Sequence, residues 1–313
     1  MSAGHDASRG MALGLLGVAI FALTLPMTRL AVGDASAPQL PPSFVTAGRA
    51  ALAGLLSIAY LRWVGARVPA RSHWAALAVC ALGTVVGFPL FLALALRHVD
   101  AMHAAVVTGL MPLGTAVAAA IYLRQRASAG FWACAVGGCL LVITFAALKG
   151  GGQLTTADAL LLGAVVSTAI GYVAGARVSS VLPAEQVICW VLVLSLPLTL
   201  PLTLPAALLT WPADAAAVRA SAWLGFAYVT LFSMWLGFFA WYRGLVLGGV
   251  MRVSQVQLLQ PFLALLAAVP LLGERLDAKT LLFALAVVAV VFIGKRMPVK
   301  TSSPALASGD ATS

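Results

Sequence analysis

Arg49 stands in "VTAGRAALAG", about six residues or roughly 9 Å of helix past the start of an apolar run. A forked guanidinium at that depth attracts a carboxylate or a phosphate. It can equally be structural, snorkelling to the interface or bonding carbonyls of a neighbouring helix. In "VSQVQLLQP", spacings of three and four put Ser254, Gln257 and Pro261 on one helix face, with Gln260 beside them. A glutamine facing lipid is costly, so this stripe points inward, either to bond another helix or to hold a ligand's amide, amine or carboxylate. Trp235 and Tyr242 fall with Tyr228 and Phe239 along one broad face, fit either to stack on a planar substrate or to join an aromatic belt. Thr24, Thr84, Thr108, Thr168 and Tyr172 offer hydroxyls to a cavity, although a threonine can instead satisfy a carbonyl of its own helix. His103 titrates near physiological pH and is the candidate proton relay for a coupled process, its other reading being a residue of the outer interface.

The elements that must position these groups follow from composition. The chain is 62% hydrophobic and 9% charged, which leaves too little polar surface to coat a water-soluble globule. Apolar runs long enough to cross a bilayer as helix recur from end to end. About ten are read, at 11–32, 43–63, 74–96, 101–123, 129–148, 158–176, 186–209, 222–242, 251–272 and 279–294. Each is a helix, because a lipid-exposed backbone must satisfy its own hydrogen bonds. Every acidic residue falls in a tail, a connection or a helix end, so no carboxylate is expected in mid-membrane.

The net charge of +10 is explained by placement rather than by a nucleic-acid partner. The two tails and the even-numbered connections hold twelve Lys and Arg, whereas the odd-numbered connections hold six. The excess marks the cytoplasmic side and puts both termini there. Cys80, Cys134, Cys139 and Cys189 all lie within spans and show no metal or redox spacing, so no metal and no cofactor is expected. There is no "HExxH", no intramembrane aspartate pair and no nucleophile with a base, which argues against an enzyme.

Two stretches share one outline: "TGLMPLGTAVAAAIYLRQRA" (108–127) and "QLLQPFLALLAAVPLLGERL" (257–276). Laying Pro112 on Pro261, a shift of 149 positions, also superposes Met102 on Met251, Leu110 on Leu259 and Arg126 on Arg275. The shift divides the chain into two units of five spans. Five is odd, so the second unit enters the membrane inverted relative to the first, a plan that gives carriers an inward and an outward gate around one central site. The "QPFLALLAAVPLLGERL" run resembles the signature that closes the fourth helix of each repeat in the EamA family of the drug/metabolite transporter superfamily. The first copy departs from it, with Arg124 and Gln125 where Gly273 and Glu274 stand in the second. Glu274 is therefore read as structural, beside Arg275 and near Lys279, with Asp277 and Ser128 as helix caps. The resemblance implies a cavity surrounded by helices one to four and six to nine, with five and ten outside, and export of amino acids or related metabolites.

The expected fold is an all-α polytopic membrane protein of about ten transmembrane helices arranged as two inverted five-helix repeats. Residues 1–10 form a cytoplasmic tail, 11–148 the first repeat, 149–157 a connecting loop, 158–294 the second repeat and 295–313 the second tail. Pro112 and Pro261 predict two related bends, and Pro197, Pro201 and Pro205, one helical turn apart in "SLPLTLPLTLPAALLTWP", predict an unwound outer end of the seventh helix that is either a hinge or a distorted terminus. The expected partners are the lipid bilayer and a small-molecule substrate, with no nucleic acid; the sequence sets no oligomeric state. The expected function is export of amino acids or related zwitterions and anions across a bacterial-type inner membrane by alternating access. The alternatives are import of sugar-phosphate or nucleotide-type metabolites and, from another class, a non-transporting membrane subunit or a membrane enzyme.

Overall fold

The computed structural model describes residues 2–122, 126–149, 151–179, 181–210, 218–248, 253–297 and 299–300. Among the described residues, eight helices are long and apolar enough to cross a bilayer: α1 (Ser8–Val32), α2 (Pro42–Trp63), α3 (Arg71–Ala95), α4 (Ala101–Tyr122), α5 (Ala129–Lys149), α6 (Thr156–Val178), α7 (Glu185–Ala206) and α8 (Ala220–Leu247). Two shorter apolar helices follow, α9 (Val256–Leu272) and α10 (Ala278–Gly294). Among the described residues the only strands are β1 (Arg126–Ala127) and β2 (Val299–Lys300), an antiparallel pair that brings the segment after α10 to the connection between α4 and α5. Leucines such as Leu16, Leu55, Leu82, Leu140, Leu224 and Leu282 stay exposed on the helices, as a lipid-facing belt requires.

Close packing depends on small residues. Gly83 of α3 meets Gly171 of α6, where a Cβ on Gly83 would stand 2.7 Å from the Cα of Gly171. Ser167, one turn away on the same seam, donates to the Gly83 carbonyl at 3.0 Å. Gly54 plays the same part between α2 and α7, where a Cβ would come within 2.7 Å of Leu196. Such contacts let helices approach without a hydrophobic driving force between them.

The odd-numbered connections meet on one face of the bundle. Arg29, at the end of α1, donates to the Leu96 and Val99 carbonyls after α3. Arg97 returns the bond to the Leu40 carbonyl at 3.2 Å, and the Arg219 amide before α8 donates to Gln39 at 2.8 Å. Lys149 reaches Asp277 at 2.5 Å. Asp277 also caps α10 by accepting from the Thr280 amide at 2.7 Å, and Lys149 and this amide together hold its carboxyl down to about 2. Ser128 accepts from the Phe131 amide at 3.3 Å at the start of α5. Glu274 does not use its neighbours Arg275 and Lys279; it accepts the amides of Ala101 and Met102 at 2.7 and 2.8 Å and so caps α4 from the other half of the chain.

The first helix begins at Ser2, so residues 2–10 are helical and run into α1; adding residues to a helix already nucleated costs little. One expectation is corrected. The three prolines of the seventh helix lie inside an unbroken Ala184–Thr210. Unwinding there would leave backbone groups in hydrocarbon. Hydroxyls of Ser195, Thr199 and Thr203 instead bond the carbonyls of Leu192, Ser195 and Thr199 at 2.7, 3.0 and 2.7 Å, so the helix carries extra polar ties through this stretch.

Candidate functional site

Five helices lose their regular α geometry, and each does so at the same central place. α1 is interrupted at Leu23 and resumes at Thr24, where the Ala22 carbonyl has no α-helical donor because Pro26, one turn on, lacks an N–H. α3 carries a π-helical stretch over Ala81–Gly87, and α8 carries one over Val229–Leu236. α4 is broken between Thr108 and Met111, just before Pro112. α9 is preceded by 3₁₀ turns over Ser254–Leu259, which become α-helical at Gln260, just before Pro261. Irregular backbone at membrane depth is tolerated where it lines a cavity, and π turns concentrate at functional sites.

The cavity is there, with a volume of about 280 Å³. Residues of α1, α2, α3, α4, α6, α8 and the α9 region line it; none comes from α5 or α10, which pack on one another outside. It gathers Thr24, Arg49, Thr84, Thr108, Thr168, Tyr172, Gln257 and Gln260, together with Pro112 and Pro261. The shift of 149 pairs several of its residues across the two halves: Thr84 with Ser233, Thr108 with Gln257, Met111 with Gln260, and Pro112 with Pro261. The π stretches of α3 and α8 are matched by the same shift.

Arg49 breaks this symmetry. It is 3% exposed and is the only charged residue lining the cavity among the described residues. One guanidinium nitrogen donates to the Ser233 hydroxyl at 3.3 Å, and Ser233 is bonded to Thr24 at 2.7 Å. Its Nε has no hydrogen-bond partner, and no carboxylate lies within ion-pair distance among the described residues. The Thr168 hydroxyl is also buried without a partner. Thr84 and Thr108 spend their hydrogens on carbonyls of their own helices, Cys80 and Ala104, each at 2.7 Å. Phe21, Phe88, Phe238, Met111 and Met234 supply apolar wall.

Several expected site residues lie elsewhere. Trp235 and Tyr242 are off the cavity, Trp235 packing edge-on to Tyr60 at 6.3 Å and tilted against Phe239 at 5.1 Å. Trp235, Phe239 and Tyr242 pack with Tyr60 against the core shared by α2, α7 and α8, and Phe238 faces the cavity instead. Pro197, Pro201 and Pro205 do not line it. The side chain of Ser254 lies outside the described residues. His103, in the first turn of α4, is buried within the protein: it is 8% exposed, with Nε2 2.7 Å from Asp158 Oδ1, and packs 5.1 Å from the Phe145 ring. Asp158 is itself 4% exposed, and its other oxygen accepts the Thr155 amide and hydroxyl at 2.8 and 2.7 Å in a capping box at the start of α6. This pair stands apart from the cavity. Ser233 was missed by side-chain type alone; its position 149 residues after Thr84 is the signal that finds it.

A multi-pass helical bundle with a polar, cation-bearing cavity between two sequence-related halves defines a membrane transporter. The chain matches the EamA-like transporter family twice, over residues 8–148 and 155–294, and belongs to that family. It is 43% identical over 292 residues to the uncharacterized transporter YdeK of Bacillus subtilis (strain 168), covering 93% of this chain and 99% of that one. A crystal structure described only as that of a protein superposes with a TM-score of 0.59 over 91% of this chain and 96% of the other, at 19% identity, which speaks to the fold alone.

Proposed function

We propose that this chain is an alternating-access carrier of a bacterial-type inner membrane, with both termini cytoplasmic, that exports amino acids or related zwitterions and anions. Its two halves, 11–148 and 158–294, act as inverted repeats around the shared cavity, and the matched breaks at Pro112 and Pro261 supply the bends between inward- and outward-facing states. The observation that carries the reading is Arg49, a buried guanidinium in that cavity without a carboxylate partner. Such a cation is costly unless something anionic joins it. Thr24, Thr84, Thr108, Thr168, Tyr172, Gln257 and Gln260 are the polar groups that orient the ligand. Proton coupling, where it operates, falls to His103 with Asp158. A dianionic sugar phosphate would call for more than one cavity cation, so the import reading gains no support.

Flux into proteoliposomes from a panel of radiolabelled amino acids, organic acids and sugar phosphates tests this. Accumulation of a zwitterion or carboxylate that disappears in Arg49→Ala is expected. Transport of organic cations, or flux indifferent to Arg49→Ala, would refute it.

A further inference from the structure

We infer that the ligand of the Arg49 cavity is an apolar monocarboxylate that carries no ammonium group, with its carboxylate on Arg49, Ser233 and Thr24. This rests on reading the cavity as the substrate site and narrows it.

Ser233 and Thr24 have two hydroxyl hydrogens, and one of them is used in their mutual 2.7 Å bond. The other has no acceptor among the described residues, and the Nε–H of Arg49 is likewise without a partner. The cluster therefore presents hydrogens and a positive charge, and a planar pair of anionic oxygens is its complement. Charge balance then excludes a second charge on the ligand. Arg49 and a monoanion together are neutral. A zwitterion would leave a net charge of one buried in the cavity, because no carboxylate lines it among the described residues. Acceptors do exist, as the Gln257 and Gln260 side-chain carbonyls and as the Thr108 backbone carbonyl, to which Pro112 has no N–H to give; the Gln257 backbone carbonyl already takes the Gln260 amide. These are neutral dipoles suited to a hydroxyl or an amide, and they do not neutralise an ammonium. The remaining wall, with Phe21, Phe88 and Phe238, takes the apolar body.

Three probes on one skeleton separate the possibilities: 3-phenylpropanoate, phenylalanine and 2-phenylethylammonium, titrated calorimetrically into the full chain in nanodiscs. The expected order is 3-phenylpropanoate tightest, phenylalanine at least about tenfold weaker, and no heat from the amine. Arg49→Met, which swaps the cation for an apolar side chain and so leaves no buried charge behind, is expected to abolish 3-phenylpropanoate binding while preserving the elution profile. The wild-type comparison stands without any variant. Phenylalanine binding as tightly as the carboxylate overturns the present inference and leaves export of zwitterions standing. Tightest binding of the amine overturns both, as does 3-phenylpropanoate binding that is unchanged in Arg49→Met. No binding of 3-phenylpropanoate to the wild type, together with flux of amino acids in proteoliposomes, overturns only the narrower claim.

Discussion

The carboxylate of Glu274 accepts the amide of Met102 at 2.8 Å, and these two residues lie in opposite halves of the chain. The fourth-helix signature of the second half therefore caps the fourth helix of the first, satisfying amides that α4 cannot pair internally. Burial pushes the Glu274 carboxyl above the usual glutamate range, against the pull of the two amides; Asp100 adds to the rise and Arg29 opposes it. A raised folded value means that the folded state binds the proton more tightly. Its stabilising contribution is then fully present at low pH and declines as pH climbs through the raised value.

Glu274→Gln removes that titration. The thermal midpoint of Glu274→Gln minus that of the wild type should grow more positive as pH rises from the usual glutamate range through the raised value. Glu274→Ala, which deletes both acceptors, should cost about 1–2 kcal/mol in the usual glutamate range and less as pH rises. A wild type that gains on Glu274→Gln with rising pH would contradict the burial argument.

How far the sequence carried is clearest at individual residues. The long helical spans follow from hydropathy and length, because a bilayer allows little else, and the two related units follow from residues matched at a shift of 149. Arg49, Gln257 and Gln260 were legible because a charged or amide side chain in hydrocarbon has few other places to face. Trp235 and Tyr242 share a face whose direction no periodicity fixes, and it packs against Tyr60 of α2 and the core beside it rather than lining the cavity. The His103–Asp158 bond joins residues 55 positions apart on two helices, so no local spacing could reveal it. Asp158 was legible only as a carboxylate at a helix end, not its burial, which packing imposes.

Thr84 and Ser233 are mates under the repeat, but their hydroxyls do different work. Thr84 bonds the carbonyl of Cys80 on its own helix, whereas Ser233 is the sole described partner of the Arg49 guanidinium. Ser233→Ala should destabilise the ligand-free protein by about 1–3 kcal/mol, because it leaves a buried charge with no partner. Thr84→Ala should cost well under about 1 kcal/mol, since a threonine bonded to its own helix contributes little there. Thermal unfolding in detergent reads both. A saturating anionic ligand should narrow the gap between the two variants, since its oxygens replace the lost partner; equal losses would remove the asymmetry.

Prolines separate by what their backbone does. Pro112 and Pro261 follow interruptions of α4 and the α9 region and line the cavity, so restoring a donor there should favour continuous helix and hinder the bend. Pro201 sits within an unbroken helix and lines nothing central, so its amide donor, once restored, merely completes a ladder already in place. Pro112→Ala and Pro261→Ala should each slow flux in proteoliposomes by about tenfold or more, as changes at hinge positions do when conformational steps limit turnover, with ligand affinity changed far less. Pro201→Ala should leave flux within about twofold of wild type. If Pro201→Ala instead slowed transport as much as Pro261→Ala, the moving elements would include α7, and the two matched breaks would lose their claim to be the hinges.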